Sequence, residues 1–300
     1  MRFFLIFTAL ILIVSTTISE LYLKHLGLGD PVRYDSDYTY GFAPKENQKK
    51  IRFDRSLVSI NDVGLRTHIN WKNNSKNKMV FLGDSITYGG SYIDDKKLFS
   101  NLVCKKMNSY ICGNAGVNAY SIINIVMRSR YDERFKESER YIFTVAPGDF
   151  YREYIGANSL HFYLNKKEFF LPAITEALSF IGTRYDINRY LSKYNDTNKT
   201  NLHKKELINF SIELLHEEIK RLEYENKEVF VFYTIEKNDK NSSKKTNQYI
   251  LNKIQSLNIK NFYNLNKTLN DDKYFYDSVH YNELGHKKVA EKMISVLTKY

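Results

Sequence analysis

Cysteine is nearly absent. Cys104 and Cys112 are the only two in 300 residues, too few for a disulfide-stapled scaffold and wrongly spaced for a metal cluster. They are expected either to form one small cross-link between a helix end and the following strand, in an oxidising compartment, or to stay as two buried free thiols. Histidine is sparse and scattered: His25, His68, His161, His203, His216, His280 and His286 show no metal-ligand spacing. No glycine-rich loop follows a strand in the setting that a phosphate cradle requires. Neither a metal nor a cofactor is therefore expected. Acidic residues are in deficit, 34 against 45 basic, which leaves a net charge of +11. That excess favours anionic surroundings such as phospholipid headgroups or acidic glycans. Lysine is spread along the chain rather than gathered in a stripe, and no nucleic-acid motif accompanies it, so nucleic acid is not an expected partner.

Long apolar runs are absent but for one. Phe3 to Ile18 is interrupted only by Thr8, Ser15, Thr16 and Thr17, and no charge enters until Glu20. The run exceeds a usual signal-peptide core and lacks a clear small-x-small cleavage site, so residues 1–26 read as an uncleaved signal anchor in preference to a removed signal peptide. Arg2 and the terminal amine outweigh Lys24 and His25 by a thin margin, which puts the rest of the chain on the extracytoplasmic side. The chain as a whole, at 43% hydrophobic and 15% aromatic residues, has ample material for a packed core.

Residues 27–78 are polar and turn-rich and read as a stem packed on the domain. A hairpin is expected where Leu57–Ile60 meets Asn61–Gly64 and then Leu65–Thr67. From Met79 strands and helices alternate: strands at Met79–Leu82, Tyr110–Cys112, Tyr141–Val145, Val229–Tyr233 and Asn261–Tyr263, with helices at Asp95–Met107, Tyr120–Arg130, Lys204–Glu225, Lys244–Leu257 and Asn282–Leu297. This alternation implies a three-layer α/β/α domain over 79–300, with a mainly parallel sheet. An insertion at about 150–200, with aromatic pairs Phe162-Tyr163 and Phe169-Phe170 and a helical stretch at Ile174–Phe180, is placed either to wall an active site or to add a packing layer. Glu236–Lys245 reads as a solvated loop.

Two segments carry chemistry. In Phe81-Leu82-Gly83-Asp84-Ser85 a hydrophobic strand ends in a small-residue turn able to lift a serine hydroxyl above the sheet edge; Gly-Asp-Ser alone also suits an ordinary turn or helix cap. Near the C-terminus lies Asp277-Ser278-Val279-His280. A serine needs a base to become nucleophilic, and the imidazole needs a carboxylate to fix its tautomer. In a helix-like turn a separation of three puts Asp277 and His280 on one side. His286, six residues on, reads as structural.

Together these segments resemble the SGNH, or GDSL-type, serine hydrolases over roughly Met79–Tyr300. The resemblance implies an SGNH-hydrolase-like domain with flavodoxin-like strand order and a triad of Ser85, Asp277 and His280. It also matches Gly116, in Asn114-Ala115-Gly116-Val117-Asn118, to an oxyanion-hole glycine whose N–H acts beside that of Ser85. One element departs from the pattern: where such proteins carry Gly-x-Asn-Asp, this chain has Ala146-Pro147-Gly148-Asp149, with Gly148 in place of a donor asparagine. Asn118, Arg152 or the Gly148 N–H are the candidate replacements, and Asp149 borders the same site. The stem segment Ile60-Asn61-Asp62-Val63-Gly64-Leu65-Arg66 is similar to one found in membrane-anchored, envelope-associated members. The implied function is removal of O-acyl groups, foremost O-acetyl, from an envelope glycan by a protein of the bacterial inner membrane facing outward, or secreted if the N-terminal segment is cleaved. O-acetyl transfer by the same triad, a catalytically weak glycan-binding or assembly role, and lipid ester cleavage are the alternatives.

Overall fold

The computed structural model describes residues 1–156, 171–184, 200–235, 237 and 244–299. The aromatic pairs at 162–163 and 169–170 and most of the loop at 236–245 lie outside them. The chain opens with helix α1 (Arg2–His25), whose apolar side chains are nearly all exposed. It is long and apolar enough to cross a membrane. Two antiparallel hairpins follow, β1 (Tyr34–Asp37) with β2 (Gly41–Pro44) and β3 (Gln48–Arg52) with β4 (Ser56–Ile60).

Five parallel strands form the main sheet: β5 (Asn77–Gly83), β6 (Tyr110–Asn114), β7 (Ser138–Val145), β8 (Glu228–Tyr233) and β9 (Phe262–Asn264), in spatial order β6-β5-β7-β8-β9. Counted within the sheet this is 2-1-3-4-5, the flavodoxin-like order. The topological switch therefore falls between β5 and β7, where open α/β sheets hold their crevice. Along β5 the side chains alternate between two cores. Val80 and Leu82 face one that also holds Val58, Leu65 and Trp71 of the stem; Met79 and Phe81 face the other. The first core takes helices α4 (Ile122–Tyr131), α6 (Thr200–Tyr224) and α7 (Lys244–Ser256). The second takes α3 (Phe99–Lys106) and α8 (Glu283–Leu297). The remaining helices are the short α2 (Ser85–Tyr88) and α5 (Pro172–Arg184).

Two local expectations are corrected. Leu57–Ile60 pairs backward with Gln48–Arg52, and the hairpin expected at 57–67 shrinks to a single Ile60–Arg66 bridge. The turn at Asn61–Gly64 does form, through Asn61 Oδ1 accepting from Val63 and Leu65. Beyond it the chain leaves, because the Arg66 N–H bonds Asn114 O at the end of β6. The helix expected from Asp95 begins only at Phe99: Leu98 is extended, and the Asp95 side chain is drawn inward to Arg66 and the Ser59 N–H. Cys104 and Cys112 are both free thiols.

Candidate active site

β5 runs out at Gly83, and Asp84 caps α2 by accepting the Ile86 N–H at 2.8 Å. Serine 85 is thereby the first residue of a one-turn helix at the carboxyl end of the sheet. A buried amide fixes this turn: Asn114 Nδ2 donates to Thr87 O and to Ser100 Oγ, tying the end of β6 to α2 and α3. Arg66 of the stem, wholly buried, fixes what comes next. Its guanidinium donates to Tyr88 O, Gly90 O, Ile93 O and the Asp95 carboxylate, and it stacks on the Tyr88 ring.

Asp277 and His280 arrive on the segment just before α8. The expected helix-like turn is instead an Asx turn: one Asp277 oxygen accepts the N–H groups of Val279 and His280 at 2.8 and 2.7 Å. The other meets His280 Nδ1 at 2.8 Å, and His280 Nε2 stands 2.9 Å from Ser85 Oγ. Partial burial of Asp277 raises its pKa, but the hydrogen bonds from His280 and Val279 and the charge of His280 outweigh this and hold the carboxylate below its ordinary range. An imidazole so held has one nitrogen committed to a carboxylate and the other positioned to take the serine proton. Tyr92, across the cleft, stacks on Tyr276 at 3.9 Å and bonds Tyr281 O, joining the two halves of the site.

Ser85, Asp277 and His280 share a cleft of about 570 Å³ with Tyr88, Gly90, Ser91, Tyr92, Asn118, Ala119 and Arg152. A cavity of similar size at the opposite end of the sheet, against Glu228 and Asn261, holds no serine beside a histidine. Stem residues complete the cleft wall: Pro31, Val32, Tyr34, Arg52 and Phe53. The sequence places the stem against the domain but assigns it no part in the site.

The oxyanion side departs from expectation. The Gly116 N–H, matched to an oxyanion donor, is taken by Asn114 Oδ1 at 2.9 Å. Glycine is required there for packing, since a Cβ would lie 2.2 Å from Tyr88 N. Gly148 is buried in a 3-10 turn at Pro147–Phe150 and does not line the cleft. Asn118 and Arg152 do. Asn118 is exposed beside Ala119, whose φ of 68° is a strained conformation for a side-chain-bearing residue. Arg152 lies 3.7 Å from Asp84 and 3.4 Å from Asp149. Burial, and then the charge of Asp84, push the Asp149 carboxyl well above the usual range despite Arg152. Asp149 and Asp84 thus lie beneath the serine turn on either side of the Arg152 guanidinium. His286 packs on Phe99 and accepts its N–H; burial, with the charges of Arg66 and His280, lowers its pKa to about 3.

No family model and no curated protein matches the chain. Among solved structures, it is similar to a psychrotrophic esterase, EstA, from Pseudoalteromonas sp., at 12% identity over 75% of this chain and 98% of that one, with a TM-score of 0.45. It is also similar to a member of the lipolytic protein G-D-S-L family from Veillonella parvula (14% identity, 74% and 99% covered, TM-score 0.44). A third is an acetyl xylan esterase, AlAXEase (17% identity, 73% and 98% covered, TM-score 0.44).

Proposed function

We propose that the chain is a serine esterase that removes O-acyl groups from an envelope glycan while anchored by α1 on the outer face of a bacterial inner membrane. The observation that carries the reading is the unbroken line Asp277 Oδ2, His280 Nδ1, His280 Nε2, Ser85 Oγ, with contacts of 2.8 and 2.9 Å, inside a cleft. Ser85 Oγ attacks the ester carbonyl as His280 Nε2 takes its proton. Asp277 stabilises the imidazolium, and His280 returns the proton to the departing sugar hydroxyl, leaving an acyl-serine. Water, deprotonated by the same imidazole, then releases the acid. The Ser85 N–H has no acceptor among the described residues, which leaves it for the oxyanion. Asn118 and Arg152 are the cleft-lining donors that stand in for the missing asparagine, Arg152 with a fixed positive charge. The glycan and its acetyl group come from the family resemblance and from the acetyl xylan esterase among the similar structures.

The test is p-nitrophenyl acetate turnover with Ser85→Ala, alongside labelling by a fluorophosphonate probe. Native protein is expected to turn over and to carry the label on Ser85, and the variant to do neither. Undiminished turnover in the variant would remove Ser85 from its role.

A further inference from the structure

The end of α1 and the wall of the cleft are one continuous structure. The Glu20 carboxylate, buried where the apolar run stops, accepts the N–H groups of Ala173 and Ile174 at 3.2 and 3.0 Å and so caps α5. One turn along α5, the wholly buried Glu176 takes the Gly29 N–H and pairs with Arg52. Arg52 also donates to Gly27 O and is one of the residues lining the cleft. Between α1 and the cleft residues Pro31 and Val32 lie only residues 26–30, and these are not slack. Gly27, at φ 88°, sits so close to Arg52 that a Cβ would fall 2.5 Å from its carbonyl carbon. A Cβ on Gly29 would lie 3.0 Å from Ala173 N.

Helix rise and side-chain reach therefore put Glu20 and the Arg52 guanidinium at most on the order of 20 Å apart. A serine enzyme on a flexible stalk samples a wide volume, whereas this cleft is tied to the end of α1 through Glu20, Glu176 and Arg52.

We propose that the linkage from Glu20 through α5 and Glu176 to Arg52 holds the cleft at the bilayer surface, and that the substrate is an acyl ester displayed there, on a carbohydrate attached to lipid. The substrate class rests on the esterase reading above; the placement of the cleft does not. The test reconstitutes the full chain in vesicles and compares it with a variant carrying a helical insert of roughly 18 residues between Ser19 and Glu20. About five turns keep the facing of Glu20 and lift the domain by about 27 Å. One substrate is an acetylated disaccharide on a dialkyl lipid with a short spacer; the other is the same disaccharide without lipid. Native protein is expected to cleave the tethered ester in preference. The insert is expected to cut that rate at least about tenfold while leaving the free ester unaffected, and a lengthened substrate tether to restore it. Equal cleavage of the tethered ester by both proteins would overturn the proposal. Independently of turnover, a fluorophore on Ser91→Cys, with both native cysteines replaced by serine, should transfer energy efficiently to a headgroup acceptor in the native chain and much less with the insert. Weak or equal transfer would overturn the placement, whereas strong transfer in the labelled chain together with no Ser85-dependent turnover by the unlabelled native protein would overturn only the esterase reading.

Discussion

The two halves of the site are built on different principles. The serine half is deep: Ser85 follows a buried strand, Asn114 of β6 and Arg66 of the stem are almost wholly enclosed, and their partners come from α2, α3 and the segment 90–95. The histidine half is shallow. The Asp277 side chain is 45% exposed and that of His280 28%, and the pair is held by local bonds within four residues plus the stack and the hydrogen bond made by Tyr92. The enclosed half gains rigidity from many distant partners. The open half is a short preformed turn that docks against it, so its geometry can fail without loss of fold.

The largest expected effect tests the open half. Asp277→Asn keeps the shape of the turn but removes the charge and the preferred tautomer, and kcat for p-nitrophenyl acetate should fall by about 10⁴-fold with thermal stability little changed. A loss below tenfold would show that the carboxylate does not orient the imidazole. Next, Arg66→Met attacks the enclosed half. It strands the buried Asp95 charge and three carbonyls, and should destabilise the fold by about 3–5 kcal/mol in denaturant titration. The third test follows pH. His286 is neutral when folded down to about 3 but protonates near 6.5 once unfolded. The unfolded chain thus binds the extra proton throughout that window, so stability falls as pH drops from about 6.5 towards 3, with a limiting slope of about 1.4 kcal/mol per pH unit from this group. His286→Gln should flatten the difference in midpoint between pH 6.5 and 4.5; an identical acid profile would mean that His286 contributes nothing. Smallest of all, Tyr92→Phe removes the bond to Tyr281 O that joins the halves, leaving the ring stack. It should cost about 0.5–1.5 kcal/mol of stability and only a few-fold in kcat, measured on the same ester.

The depth of each half also decided how much of it could be read from sequence. Asp277 and His280 are three residues apart and meet through that spacing, and Gly83-Asp84-Ser85 is a local strand-to-helix turn, so both were legible. The parallel sheet was legible because each strand is a short apolar run between amphipathic helices. The distant partners were not. Arg52 reaches Glu176 across 124 positions, and no periodicity announces such a pair. The register of the stem was misread because Leu57–Ile60 alternates equally well with the segments on either side; the choice falls to Arg66, whose N–H goes to the sheet. Gly116 was matched by analogy to a donor, while its observed constraint is steric, and a sequence shows that a residue is small without showing what presses on it.

Arg66 has a consequence for where a self-sufficient fold around Ser85 starts. A fragment beginning at Asn77, the start of the first strand of the sheet, would keep Ser85, Asp277 and His280 yet lose the only side chain that closes off Tyr88 O, Gly90 O and Ile93 O and neutralises Asp95 among the described residues. The shortest piece able to hold the loop after Ser85 must therefore begin upstream of Arg66. The stem is not a detachable spacer that recombination could exchange between proteins without rebuilding the loop it grips.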